Sequence, residues 1–320
     1  MIKLNMINIL TNLNIKLQTI YFRHISKNIR KTKPLSYKID KRLTIVTMLS
    51  HNTIDMYLIA IKSFMKQFGY GSIEVINDGS LTETDKEILN YHIPNIAISN
   101  SDEIDTLTCP GYISWKRLIR IAEIAKKSYV IQLDSDTISL SPLIEIHDMV
   151  TLNHGFLIGN NRWKNGVDLD FLNLIVKQWK ENHVQPSTEL ILKDIKFLSG
   201  IKYLRGCAGF AGYPKNFASL SEIEDLSNQI EEIIGEKWHE WGSEQTATLC
   251  LISKTKNPKI LPWPRYQNYK FPITNEPINS STFVHFIGSN RHLDSSYAVL
   301  SKKFIQEDFK TPTTLKKTKQ

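Results

Sequence analysis

Tyr129-Val-Ile-Gln-Leu133-Asp134-Ser135-Asp136 is the stretch on which the fold turns. A short strand-forming run passes directly into two carboxylates flanking one small residue. The same kind of unit recurs upstream. Arg42-Leu-Thr-Ile-Val-Thr-Met48, Ser72-Ile-Glu-Val-Ile76 and Asn95-Ile-Ala-Ile98 read as strands. Helical patterns separate them. Asn52 to Phe68 places Ile54, Tyr57, Leu58, Ile61, Phe64 and Met65 on one face with Gly69 behind it; Thr82 to Tyr91 and Tyr112 to Lys127 follow. Strands alternating with helices imply right-handed crossovers, a mostly parallel sheet and helices on both faces. Ligands of such sheets gather at the carboxyl ends of the strands. Asp78, in the turn Asn77-Asp78-Gly79-Ser80, and the pair Asp134/Asp136 both fall at such ends.

Two carboxylates one residue apart at a strand end approach a single hard divalent cation, Mg²⁺ or Mn²⁺, which also bridges phosphate oxygens. A bare acid-x-acid turn is common and is also read as a solvated acidic turn. A later segment, His285-Phe-Ile-Gly288-Ser-Asn-Arg291, follows the apolar strand Ser281 to Ile287. Gly288 lets the backbone pass close to a ligand. Arg291 offers a fork of donors to phosphate. Alone, His285 reads as a satisfied buried histidine. Beyond residue 155 the pattern is less regular: a strand Gly155 to Ile158, a helix Leu169 to Glu181, a small-residue run Gly206 to Gly212, and helices Ser221 to Ile234 and Ser243 to Ser253.

With these segments in hand, the chain resembles the nucleotide-sugar glycosyltransferases of the GT-A fold. Their acid-x-acid motif ends a central strand, here Leu133-Asp134-Ser135-Asp136. In family-8-like, retaining members a late H-[FY]-x-G-x-x-[KR] segment supplies a third metal ligand and a diphosphate-binding base, here His285 to Arg291. The turn Asn77-Asp78-Gly79-Ser80 is similar to the D-D-G-S turn of family-2-like members, with Asn77 in the first position, so that Asp78 alone carries over. The resemblance runs over roughly residues 42–295. It implies metal ligands Asp134, Asp136 and His285, and donor contacts from Thr47, Ser50, Asp78, Lys116, Asp134, Gly288 and Arg291. A cation there would act as a Lewis acid on the leaving nucleoside diphosphate. Lys116, Arg117 and Arg120 lie on the helix leading to the acidic strand; Lys116 and Arg120, four apart, share a face that reaches the diphosphate or simply faces solvent.

Trp238-His-Glu240-Trp241-Gly-Ser243-Glu244-Gln245 sits at a loop-to-helix junction with Ser243 as N-cap. Trp238 and Trp241 are either a stacking platform for the acceptor sugar or core anchors. Glu244-Gln245 looks like the acidic-Gln pair of family-8-like enzymes. An inverting enzyme would use a carboxylate as base, Glu244 first and Glu240 second. A retaining one would place Gln245 beside the reacting carbon.

Charge bears on location more than on chemistry. The 320 residues carry 40 Lys+Arg and 32 Asp+Glu, a net +8. Residues 1–33 hold seven basic side chains and no acid, and residues 301–320 hold six against Glu307 and Asp308, so the body between is slightly acidic. A nucleic-acid partner is not expected from that distribution. Ile2, Met6, Ile9, Leu10, Leu13, Leu17, Ile20 and Tyr21 recur at helical spacing, interrupted by Asn and Lys, so a basic amphipathic helix is expected and a signal peptide is not. Such a helix lies on an anionic bilayer or docks on its own domain. Cys109, Cys207 and Cys250 are scattered, as expected of buried thiols in a reducing compartment.

The resulting expectation is an α/β, GT-A-like catalytic domain over 42–300, with a nucleotide-binding half about 42–150 and an acceptor-binding half about 151–300. A basic N-terminal segment 1–41 precedes it and a basic tail 301–320 follows. It would be a cytoplasmic enzyme, peripheral at the inner membrane face, moving a sugar from a UDP-type donor to a glycan or lipid-linked acceptor with Mn²⁺ or Mg²⁺. Rival readings are a haloacid-dehalogenase-like phosphohydrolase with Asp134 as nucleophile, which wants its motif after the first strand, and a nucleotidyltransferase, which wants a Gly-rich loop where Thr47-Met-Leu-Ser-His51 has no glycine. A third is a non-catalytic membrane- or polyanion-binding module led by residues 1–33.

Overall fold

The computed structural model describes residues 2–271 and 277–310, with side chains from residue 11 onward in the first helix. That helix is α1 (Ile2–Ser26). Then come β1 (Leu43–Leu49), α2 (Ile54–Phe68), β2 (Ser72–Asn77), α3 (Glu83–His92), β3 (Ala97–Asn100), α4 (Ile113–Ala125), β4 (Tyr129–Leu133), β5 (Thr137–Ser139), α5 (Ile144–Leu152) and β6 (Phe156–Ile158). The second half has β7 (Val167–Asp168), α6 (Leu169–Val176), α7 (Val184–Glu189), β8 (Lys202–Tyr203), β9 (Cys207–Tyr213), α8 (Leu220–Ile234), α9 (Ser243–Ser253), β10 (Lys259–Leu261), β11 (Tyr266–Asn268), β12 (Phe283–His285) and α10 (Ser296–Lys310).

The main sheet has seven strands in the order β10-β6-β9-β4-β1-β2-β3. Its core, β4-β1-β2-β3, is parallel, and β9 runs antiparallel between β4 and β6. Both faces are covered, which is why these strands read as near-continuous apolar runs and not as alternating ones. Ile45, Ile73, Val75 and Ile131 pack against α2 on one side, while Val46, Ile76 and Val130 join α4, α8 and α9 on the other. Twelve of the fifteen residues of α2 are buried. Gly69, at φ +92, terminates it in the left-handed conformation that glycine adopts without strain. Thr82 and Asp85 form a reciprocal capping box at the start of α3.

A small second sheet, β11-β12-β5, sits beyond the acidic turn. β5 leaves that turn and pairs antiparallel with β12, with His285 opposite Thr137. A backbone bond from Phe286 N–H to the Asp136 carbonyl (2.8 Å) locks the register. This pairing brings residues 136 and 285 together across about 150 positions of chain.

Three expected boundaries change. The helix expected over 169–181 stops at Val176, where the backbone tightens into i→i−3 bonds through Trp179. The small-residue run 206–212 is the interior strand β9, and its glycines make room for neighbours. A Cβ on Gly212 would lie 2.3 Å from the Phe156 ring and the Tyr129 hydroxyl. Residues 301–310 are not tail: α10 runs through Lys310 with Ser301, Phe304 and Ile305 buried, and residues 311–320 lie outside the described residues. The N-terminal helix docks on the body through Phe22 and Ile25, Phe22 stacking on Tyr297 at 4.4 Å. None of the helices is long and apolar enough to cross a membrane, among the described residues.

Candidate active site

β4 delivers Asp134 and Asp136 to the carboxyl edge of the sheet, and β12 brings His285 onto them. His285 Nε2 lies 3.2 Å from Asp136 Oδ1 and 3.9 Å from Asp134 Oδ2. One ligand atom from each of the three residues falls within 4.8 Å of the others. Asp136 and His285 are nearly inaccessible, at 5% and 3% exposure. The imidazole is fixed from behind. Its Nδ1 lies 2.9 Å from Asn268 Oδ1, which can only accept, so Nδ1 carries the proton and Nε2 faces the carboxylates. The Cys207 sulfur lies 3.6 Å from the same nitrogen. Two carboxylates, one oriented imidazole and a hydrogen-bonded outer partner form a donor set suited to Mn²⁺ or Mg²⁺.

The cluster needs Gly209. A Cβ there would stand 2.2 Å from His285 Cε1, so any side chain on β9 at this point would displace the imidazole. Burial opposes charge on His285, but the Asp136 carboxylate beside it overrides this and holds the imidazole well above its usual range. Burial would likewise raise Asp136, yet His285 and Arg291 hold it well below the ordinary carboxylate range. Arg291 pairs with Asp136 Oδ2. On the other flank, Arg117 of α4 reaches Asp134 Oδ1 at 3.0 Å and Glu244 Oε1 at 3.5 Å. The Tyr112 hydroxyl donates to Glu244 Oε2 at 2.7 Å and accepts from the Glu244 backbone N–H at 3.0 Å. These contacts tie the start of α9 to the acidic turn.

A cavity of about 510 Å³ opens beside the cluster, lined by Cys207, Asn268, Gly288, Gln245, Gln185 and Trp241 among others. Trp241 is 75% exposed and meets His183 edge-on at 6.0 Å.

No protein-family model and no curated protein matches the sequence. Among solved structures, the apo form of WbbM, a bifunctional glycosyltransferase, matches over 87% of this chain and 51% of its own, with a TM-score of 0.51 and 15% identity. The fold is GT-A-like. The chain spans about half the length of WbbM. The galactosyltransferase LgtC, with donor and acceptor sugar analogs bound, matches over 84% of this chain and 98% of its own at 14% identity and a TM-score of 0.47. Mouse xyloside xylosyltransferase 1 matches over 80% and 98% at 9% identity and a TM-score of 0.45. At 15% identity the likeness to WbbM speaks to the fold alone, and the chemistry rests on the residues of this chain.

Within the GT-A-like frame, Asp134, Asp136, His285 and Arg291 converge as the sequence motifs implied. Gln245 and Gly288 line the adjoining cavity, where Gly288 faces open space. Other expected residues are placed elsewhere. Thr47 is 1% exposed and donates to the Leu133 carbonyl at 2.6 Å, joining β1 to β4 inside the sheet. Ser50 caps the short turn before α2 through Thr53. Asp78 accepts from Ser80 N–H and hydroxyl, closing its own turn at the end of β2. Lys116 donates to the Ser101 carbonyl at 2.9 Å, and Arg120 pairs with Glu74 and Glu123. The basic residue of α4 that faces the acidic turn is therefore Arg117. Trp238 is fully buried, donates to Ser227 at 2.9 Å and packs edge-on against Trp115, so it is a core anchor and no sugar platform. Glu240 is exposed and paired with Lys237 at 2.8 Å.

Tyr112, Gly209 and Asn268 stand at the site and escape pattern reasoning, which places Arg117 on the helix leading to the acidic strand but favours its neighbour Lys116. Arg117 had a faint signal, a charge beside Trp115 and Leu118 on a largely apolar helix. Asn268 had none, because only the β11–β12 pairing sets it behind His285.

Proposed function

We propose that the chain is a metal-dependent glycosyltransferase that takes a sugar from a nucleotide-diphosphate donor, a UDP-sugar first, and passes it to a glycan or lipid-linked acceptor. The observation that carries this is the buried Asp134–Asp136–His285 cluster at the carboxyl edge of a GT-A-like sheet. A bound Mn²⁺ or Mg²⁺ would supply Lewis-acid neutralisation of the departing diphosphate. Asn268 keeps the imidazole in the ligating tautomer. Arg291, beside Asp136, presents a fixed positive group to the diphosphate. Arg117 and Tyr112 hold Glu244 in place, which makes Glu244 a positioning residue and leaves Gln245 as the α9 side chain facing the cavity. That favours Gln245 beside the transferred sugar and the acceptor in the cavity under Trp241, whose exposed face suits a pyranose ring.

The basic first helix fits a peripheral role on the cytoplasmic side. Its docked face buries Phe22 and Ile25, while Leu13, Leu17, Ile20 and Tyr21 stay exposed at i, i+4, i+7 and i+8. We read that outer face as the contact to an anionic membrane. Liposome co-sedimentation of Leu13→Ser/Leu17→Ser checks it: loss of binding is expected, and unchanged binding removes the membrane from the account.

The enzymatic reading is tested by release of the nucleoside diphosphate from a panel of nucleotide sugars. Release that needs Mn²⁺ or Mg²⁺ and stops with chelator is expected. Phosphate release from a simple phosphoester with no nucleotide-sugar dependence would instead support the phosphohydrolase alternative.

A further inference from the structure

A second cavity, also about 510 Å³, lies between α1 and the start of α2 and is lined by Arg23, Lys27, Arg30, His51, Asn52 and Arg291 among others. It touches the cluster directly, because Arg291 at its inner end is paired with Asp136. Its charge is one-sided. Asp55 is its only acidic lining residue and is already paired with Arg30. Arg23 and Lys27 are exposed on successive turns of the helix end and its 3₁₀ continuation, and they line the same cavity as Arg291. The wall they form is fixed in place. Asn14 donates to the Leu293 carbonyl at 2.9 Å, and Phe22 packs on both His292 (5.3 Å) and Tyr297 (4.4 Å), so α1 is clamped to the loop that carries Arg291. His51 is itself anchored, its Nδ1 lying 2.7 Å from Asp85 and its backbone N–H donating to the Ser80 hydroxyl at 2.9 Å. The floor of the groove therefore joins the turn after β1 to the turn after β2, where a parallel α/β sheet presents its ligands.

We propose that α1 is a working wall of the donor site, with Arg23 and Lys27 contacting the anionic diphosphate portion of the nucleotide donor from the side opposite the metal cluster. This inference rests on the glycosyltransferase reading above. It assigns the exposed basic flank of the helix, beside its docked face, to substrate, independently of what its outer apolar residues do. Two preset cations facing a nucleoside diphosphate strengthen its binding through charge-assisted contacts, and a docked helix presents them with little ordering cost.

The test is calorimetry of UDP with Mn²⁺, in solution and without membranes, on the wild type, Arg23→Ala/Lys27→Ala and Arg23→Lys/Lys27→Arg. The control is Lys193→Ala/Lys196→Ala, at exposed positions outside the groove. The alanine pair should bind at least about tenfold more weakly, with a shallower salt dependence. The charge-conserving pair should stay within about threefold, and the control should be unchanged. Both groove side chains are exposed, and a retained thermal midpoint confirms that the helix stays docked. Wild-type binding equalled by the alanine pair overturns this inference alone. No binding by the wild type overturns the donor reading beneath it.

Discussion

Two cavities of equal volume flank the Asp134–Asp136–His285 cluster, and they differ in chemistry. The one toward α1 is cationic and reaches the cluster through Arg291. The one toward α9 is lined by Trp241, Phe271, Gln185 and Gln245, with one residue of each charge, Arg205 and Glu181, and reaches it through Asn268 and Cys207, which contact His285. A sugar-nucleotide donor has an anionic end and a neutral sugar end, and the proposed function would seat those ends in the two cavities in that order. On the proposed reading, the cluster would stand where the bond between them breaks. Under the proposed function, charge would hold the leaving group on one side, and shape and aromatic faces would orient the sugars on the other.

The strongest way to break this comparison is to remove its centre. His285→Ala should lower turnover by more than about 100-fold, because several kcal/mol of charge stabilisation leave with the cation. Loss confined to a few-fold would mean that the cluster is structural.

Gly209→Ala keeps all three ligand residues and pushes on the His285 imidazole. A fall in Mn²⁺ affinity of roughly 10–100-fold is expected, comparable to losing an outer partner of a ligand. Far-ultraviolet circular dichroism should stay native. Normal Mn²⁺ affinity would show that the 2.2 Å clash is absorbed elsewhere.

The two tryptophans sharpen the apolar side. Trp241→Ala should raise the acceptor KM up to about tenfold, leave the donor KM unchanged and barely move the thermal midpoint. Trp238→Ala should do the reverse, costing about 3–5 kcal/mol of stability by denaturant titration with little effect on KM in the folded fraction. If the two effects exchanged places, the placement of the acceptor would be wrong.

The smallest effect belongs to the surface. Glu240→Ala, which removes an exposed pair with Lys237, should change stability by no more than about 0.5 kcal/mol and leave turnover alone. A large loss of turnover would restore Glu240 as a base.

The same two sides of the molecule differ in how far the sequence discloses them. β1 to β4 with their helices follow from period and punctuation, since fully covered parallel strands are continuous apolar runs and Gly69 and the Thr82–Asp85 box mark helix ends. The pair Asp134/Asp136 is visible because a strand ends on it. The second half hides its logic in pairings. β9 runs antiparallel, β5 and β12 are three residues each, and only their register sets His285 beside Asp136. Gly209 reads in sequence as one glycine of several, and its purpose appears once His285 stands over it. Trp238 and Trp241 are three residues apart with identical side chains, and burial alone separates an anchor from a sugar platform. α1 is legible as an amphipathic helix. That its basic flank shares a cavity with Arg291 follows from the stacking of Phe22 on Tyr297, a contact across about 275 residues.

The most direct measurement is calorimetry of UDP binding with and without Mn²⁺, on the wild type and on Asp136→Asn. Metal-dependent binding in the wild type that is lost in Asp136→Asn is the predicted result. Equal binding by both proteins, or no metal-dependent binding by the wild type, would contradict the account.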